Sequence, residues 1–250
     1  MIPVNRKSNM AEERKIHTSF HDISPREYMY FPKGTIEMGK PGQFSRTEII
    51  HLLISMGVLT IAFSFALTKN NLINGLFLGE FKFNKLPFGM MLSFLGVVTA
   101  FFVHELSHKF IAQKYGLWSE FRMYPRGLGL ALLLGVCTPF VFAAPGAVMF
   151  RGKVRDFEMG QIAVAGPLAN IVIAAITLPL YLFVFYETPM GQIIGFVCLI
   201  NSVLATFNLL PLGPLDGIKI IRWDVNVWII SLITAITLMM IIFIRFTVSS

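Results

Sequence analysis

Apolar runs of about twenty residues or more recur along this chain, at residues 49–68, 86–115, 160–186, 190–210 and 225–246. A helix rises about 1.5 Å per residue, so each run can cross a hydrocarbon core of about 30 Å. Spanning helices satisfy their own backbone hydrogen bonds, which lipid cannot do for them. The pattern therefore predicts an all-α polytopic membrane protein with about five transmembrane helices. Composition points the same way. Charged residues make up only 14% of the chain, against about 25% in a soluble domain.

Residues 1–48 are polar and carry Arg6, Lys7, Arg14, Lys15, Arg26, Lys33, Lys40 and Arg46. A short helix is expected around Met10–His17, followed by irregular structure. No short apolar core with a small-residue cleavage site follows Met1, so no cleavable signal peptide is expected. The first span then acts as its own insertion signal. The net charge of +7 is spread over loops, without a basic block or interleaved aromatics. It reads as membrane topology and not as nucleic-acid binding. Cys137 and Cys198 both lie in apolar segments, where they read as small buried hydrophobes and not as a disulfide framework.

The second apolar run carries His104-Glu105-Leu106-Ser107-His108. Two histidines four apart on a helix project about 40° from each other, so both rings reach one side. Zinc needs that arrangement from two ligands of one helix. Glu105 can then lie beside the metal without binding it, placed to take a proton from water. Such a five-residue pattern also arises by chance. Its setting decides here, because three ionisable side chains inside one hydrophobic segment are costly unless they have a function. His17 and His21 share the spacing, but in a polar tail with no acid between them, and read as solvated. His51, at the polar edge of the first run, needs no special role.

Catalytic zinc usually has three protein ligands and a water. Asp216 ends an apolar run between Pro211, Pro214 and Gly217. On local grounds it reads first as a turn aspartate, although a turn at membrane depth is tolerated where it lines a cavity. Asn170, in an apolar run that opens with the small residues Ala165 and Gly166, is unusual for such a helix.

Taken together, three elements resemble the site-2 protease family of intramembrane zinc metalloproteases. They are His-Glu-x-x-His at 104–108, Gly-Pro-x-x-Asn at 166–170, and Asn-x-x-Pro with Leu-Asp-Gly over 208–217. They occur in the family's order and cover the membrane core from about 86 to 222. The resemblance implies one catalytic Zn2+ held by His104, His108 and Asp216, with Glu105 as general base. It implies that Asn208 holds the substrate backbone or the oxyanion, and that Asn170 supports the core near the site. It implies hydrolysis of peptide bonds in or near transmembrane helices of membrane-protein substrates. Many relatives carry a PDZ or CBS domain, for which no stretch here has room. Ser107 stands where Gly is often found, a change between small residues. Residues 1–48 match no known pattern, and nothing sets an oligomeric state. A metal transporter or a non-catalytic zinc-bearing scaffold are the competing classes; neither needs Glu105, and a transporter would often show a paired repeat, absent here.

The segment at about 119–150 settles the expected topology. Residues 118–126 read as a strand or loop. Beyond them, Gly127, Gly129, Gly135, Pro139, Pro145 and Gly146 interrupt an apolar stretch. If it crossed the membrane, Asp216 would end on the face opposite His104. A re-entrant loop or β-hairpin is therefore expected there, its edge offered to an unwound substrate strand. Arg151, Lys153 and Arg155 then fall on the inner side with Lys109, Lys114, Arg122, Arg126, Lys219 and Arg222. The expected arrangement is a multi-pass protein of the cell membrane, with residues 1–48 as a cytoplasmic tail, 49–250 as the membrane-embedded protease domain and the C-terminus outside.

Overall fold

The structure, a computed structural model, describes residues 16–18, 43–79, 81, 83–141, 145–151 and 154–248. Five of its helices are long and apolar enough to cross a membrane. The first, α1 (Arg46–Leu67), starts at Ser45, whose hydroxyl accepts from the Glu48 amide at 3.1 Å. That side-chain cap satisfies one of the amides left over at a helix start. After a turn at Lys69, α2 (Leu72–Leu78) is capped in the same way by Asn71. It leaves Leu76 and Phe77 more than three-quarters exposed. The stretch between the first two apolar runs thus contains a short apolar helix.

The second span is continuous but not uniform. Helix α3 (Leu86–Gly96) widens into a π-helical turn, Val97–Phe102, before α4 (Val103–Lys114). Gly116 ends α4 in the left-handed region, φ 72°, and Leu117 donates back to Ala112 at 3.1 Å. Only glycine takes that backbone without strain. The chain then enters β2 (Trp118–Met123).

Among the described residues of 127–150 there is no helix long enough to span. Helix α5 (Pro125–Cys137) has 13 residues, about 20 Å at the helical rise and too short to cross. It packs on α1 with Gly135 against the backbone of Ala62, where a Cβ would come within 2.3 Å of the carbonyl oxygen. The chain returns as β3 (Gly146–Arg151), antiparallel to β2 from Trp118↔Arg151 to Met123↔Gly146. The re-entrant and hairpin alternatives therefore occur together, a short helix held between two paired strands. The other edge of β3 pairs with β1 (Ile16–Thr18) over residues 149–151. Most of the helix expected at Met10–His17 lies outside the described residues, but Ile16 and His17 are strand and not helix.

Helix α6 (Asp156–Pro179), continued by a π turn at Leu180–Val184, packs on α4, α7 (Pro189–Asn208), α8 (Asp216–Trp223) and α9 (Val225–Val248). Those contacts make α6 the common wall between the helix carrying His104 and the turn carrying Asp216. Cys198 is fully buried and Cys137 half-buried; both are free thiols.

A buried polar knot fixes α4 against α1 and the sheet. Lys109 pairs with Glu48, and its ammonium also sits 4.1 Å from the Phe44 ring centroid. The second oxygen of Glu48 accepts from the Phe121 amide at 2.9 Å. Beside it, Glu120 accepts from Ser45 at 2.8 Å and pairs with Arg122 at 2.6 Å. The sequence places Lys109 and Arg122 among the charges of the inner side. Both are buried and ion-paired, because α1 brings a carboxylate to meet the first and β2 supplies one to the second.

Candidate metal centre

The two histidines arrive together because α4 is regular across them, so their rings sit on one side, 4.6 Å apart between centroids. Asp216 arrives from the far end of the chain. Beyond α7, Leu212 donates to Leu210 and Leu215 to Leu212, folding Pro211–Pro214 into tight turns. Asp216 is the first residue of α8. Its neighbour Gly217 lies against the Leu209 and Leu210 carbonyls, where a Cβ would come within 2.3 and 2.5 Å. Only glycine lets the turn come this close to α7, and so the Leu-Asp-Gly order sets the carboxylate's position.

The Nε2 atoms of His104 and His108 stand 3.0 Å apart. One carboxylate oxygen of Asp216 lies 3.4 Å from the first and 3.1 Å from the second. The opposite side of each ring fixes its tautomer. His108 Nδ1 faces the Ile162 carbonyl at 2.7 Å, and a carbonyl can only accept. His104 Nδ1 faces Asn170 Oδ1 at 2.5 Å. That amide is oriented by its own Nδ2, which donates to the Ala100 carbonyl at 2.9 Å and to Asn201 Oδ1 at 2.8 Å. Both Nδ1 atoms are therefore donors. In the neutral rings this leaves two Nε2 lone pairs and a carboxylate oxygen converging on one point.

Such a cluster repels itself unless a cation sits in it. Metal-ligand bonds of 2.0–2.1 Å at tetrahedral angles place ligand atoms about 3.3 to 3.4 Å apart, close to the spacings here. Gly166 leaves the room: a Cβ on it would come within 2.4 Å of His108 Nε2 and 2.6 Å of His104 Nε2. The chemistry of the donor set, two imidazoles and a carboxylate, suits zinc. Among the described residues these three form the one group of His, Cys, Asp or Glu side chains close enough to hold a metal ion.

A mostly apolar cavity of about 300 Å3 opens on the centre. Glu105, Asn208 and Lys219 lie on its wall, with Phe196, Phe207 and Val148 among the apolar lining. Asn208 Nδ2 donates to the Leu204 carbonyl of its own helix at 3.1 Å, leaving its oxygen unclaimed by that bond. Asn170 lies behind His104 and is fully buried. All six residues singled out in the sequence thus come to one place.

Two neighbours escaped the sequence reading. Asn201, fully buried, continues the chain from Asn170 to Thr99, 3.2 Å away. Its signal was available, since an amide inside an apolar run is costly without a role. Lys219 was counted only among the inner-side charges. Its ammonium lies 3.0 Å from the other oxygen of Asp216, with the side chain 9% exposed. Asp216 itself lies outside the spanning helices. Burial works against its charge, but the Lys219 ammonium beside it favours the charged form, and the carboxyl is held well below the usual carboxylate range.

Comparison with known proteins agrees with this chemistry. The chain is 39% identical over 190 residues to "Putative zinc metalloprotease MJ0611" of Methanocaldococcus jannaschii, covering 75% of this chain and 90% of that protein. It is 30% identical over 147 residues to "Putative zinc metalloprotease YwhC" of Bacillus subtilis, half of this chain and 65% of that one. It is also 30% identical over 132 residues to "Zinc metalloprotease MJ0392" of M. jannaschii, 53% of this chain and 32% of the relative. No protein-family model matches the chain, and no solved structure matches it significantly.

Proposed function

The chain belongs to the zinc metalloprotease family of these relatives, and from that premise we propose that it is an intramembrane endopeptidase of the site-2 type. Its substrates are membrane proteins, cut in or near their transmembrane helices. One observation carries this reading: the three converging acceptors and Glu105 share an apolar cavity within five membrane-length helices.

Zinc held by His104, His108 and Asp216 would supply Lewis acidity, polarising a carbonyl and lowering the pKa of water from 15.7 toward about 7. Glu105, next to the first ligand, takes the proton of the attacking water and hands it to the leaving amine. Asn208 steadies the substrate backbone or the developing oxyanion with its amide. The apolar wall, with Phe196 and Phe207, takes the side chains of the bound stretch and keeps bulk water away. A helical substrate has its carbonyls tied up, so it must unwind before attack. Substrates with Gly, Pro or Asn near the cut are favoured, because such residues weaken a helix. A non-catalytic scaffold or a metal transporter would leave Glu105 without a task. We place residues 126 and 155 on the cytoplasmic side, with the first residue inside and the last outside.

Proteomics of membranes carrying the wild-type chain or Glu105→Gln tests the proposal. Single-span proteins or fragments should accumulate in the variant membranes. Indistinguishable proteomes, with both chains present at equal level, would remove the endopeptidase reading.

A further inference from the structure

We propose that Lys219 is a positioning residue that confines Asp216 to a single ligating oxygen. The inference rests on the zinc centre described above. The carboxylate is shared in a definite way. One oxygen faces the two imidazoles at 3.1 and 3.4 Å, and the other accepts from the Lys219 ammonium at 3.0 Å. Lys219 follows Asp216 by one helical turn on α8, so the pair is held by a single rigid element. Gly217 pins the start of that helix against the Leu209 and Leu210 carbonyls. With the backbone packed this closely, rotation of the carboxylate is the freedom that Lys219 restrains.

That rotation has a chemical consequence. A zinc centre with three protein ligands keeps its fourth position for water or substrate. A carboxylate free to turn can offer both oxygens, and the second would take up the position that the reaction needs. An ammonium with three donors and no acceptor holds one oxygen and cannot itself bind the metal. Its location fits this use. Lys219 lies on the cavity wall with its side chain 9% exposed, where a charge is too costly to keep without a partner. Partners seated behind a metal ligand in this way orient it, and their loss typically costs about 10- to 100-fold in metal affinity or activity.

Visible spectroscopy of the Co2+-loaded full chain in detergent tests the assignment, because tetrahedral cobalt absorbs more strongly than cobalt of higher coordination. Wild type should show the intense tetrahedral bands. Lys219→Met should bind one equivalent of Co2+ yet lose several-fold in band intensity, as the freed oxygen raises the coordination number. Its kcat in the zinc form should fall about 10- to 100-fold with KM little changed. Lys219→Gln keeps a neutral donor and should fall between the two. An unchanged spectrum in Lys219→Met overturns the assignment, and so does loss of bound metal from that variant, which marks a residue needed only to keep the site folded. A wild-type chain that takes up neither Co2+ nor Zn2+ overturns the metal centre itself, and this assignment with it, so the two failures are told apart.

Discussion

Gly166 faces the imidazole of His108 so closely that a Cβ on it would lie 2.4 Å from the ring's Nε2. The small residue on α6 is thus part of the metal centre's shape, although it offers no ligand. Gly166→Ala should leave the fold intact, since α6 is helical through this position and alanine favours a helix. The added methyl displaces both imidazoles, so we expect zinc affinity to drop by about 10- to 100-fold, the usual effect of disturbing ligand orientation. Competition with a calibrated chelator measures it. Wild-type affinity in Gly166→Ala would show that the rings have slack that the geometry denies.

The amide of Asn170 should matter in a different way. It accepts from His104 and donates to Ala100 and Asn201. Asn170→Leu strands the imidazole N–H and two acceptors in a dry interior, at about 1–3 kcal/mol for each group left unpaired. Stability and zinc affinity should both fall. Asn170→Asp keeps the acceptor for His104, so it should bind zinc better than Asn170→Leu. The reverse order in chelator competition would contradict the orienting role.

Ligand and base should separate cleanly in metal analysis. Glu105→Gln is expected to retain a full equivalent of zinc while cleavage is lost, because Glu105 lies on the wall and outside the ligand group. His104→Ala, His108→Ala and Asp216→Ala should lose zinc and activity together. A strong chelator should likewise silence the wild type, and added zinc restore it. Full zinc in purified Asp216→Ala would sink the three-ligand assignment.

Much of this centre was legible in the sequence because its chemistry follows helical periodicity. His104 and His108 are one turn apart, and that spacing survives whatever surrounds it. Asp216 was legible only through its neighbours. Pro211, Pro214 and Gly217 announce a turn, but that the turn reaches α4 depends on α6 and α7 lying between. The partners of Lys109 and Lys219 were not legible for the same physical reason. Whether a lysine meets solvent or a carboxylate is decided by distant packing, and Glu48 is 61 residues from Lys109. The π turn at 97–102 has no local marker either, yet the Ala100 carbonyl within it receives Asn170. The strand at Ile16–Thr18 exists by pairing with β3, which residues 10–17 alone do not reveal.

The Glu48–Lys109 pair is fully enclosed, so halves of it should be worse than none. Lys109→Met leaves a buried carboxylate without its counter-charge, and removing one partner of such a pair typically costs about 3–5 kcal/mol. Adding Glu48→Gln removes the charge but keeps an acceptor for the Phe121 amide, 2.9 Å away. The double variant should therefore recover most of the loss. Thermal unfolding in detergent reads this out. A double variant less stable than Lys109→Met would show that the pair is not the unit of stability.

The sharpest topological prediction concerns the segment between β2 and α6. Suppose residues 127–150 crossed the membrane. Asp216 would then lie across a core of about 30 Å from His104, yet its carboxylate is 3.4 Å from that ring. Instead α5 has 13 residues and β3 returns beside β2. Residues 126 and 155 are then expected to face the same compartment, and the turn at Glu187, between the third and fourth membrane-length helices, to face the other. In a background lacking Cys137 and Cys198, cysteines at Arg126 and Arg155 should react with an impermeant maleimide from one side only. A cysteine at Glu187 should react from the opposite side. All three positions are solvent-exposed, so access depends on sidedness and not on burial. Labelling of Arg126→Cys and Arg155→Cys from opposite faces would make the segment a span, and would take Asp216 out of reach of the two histidines.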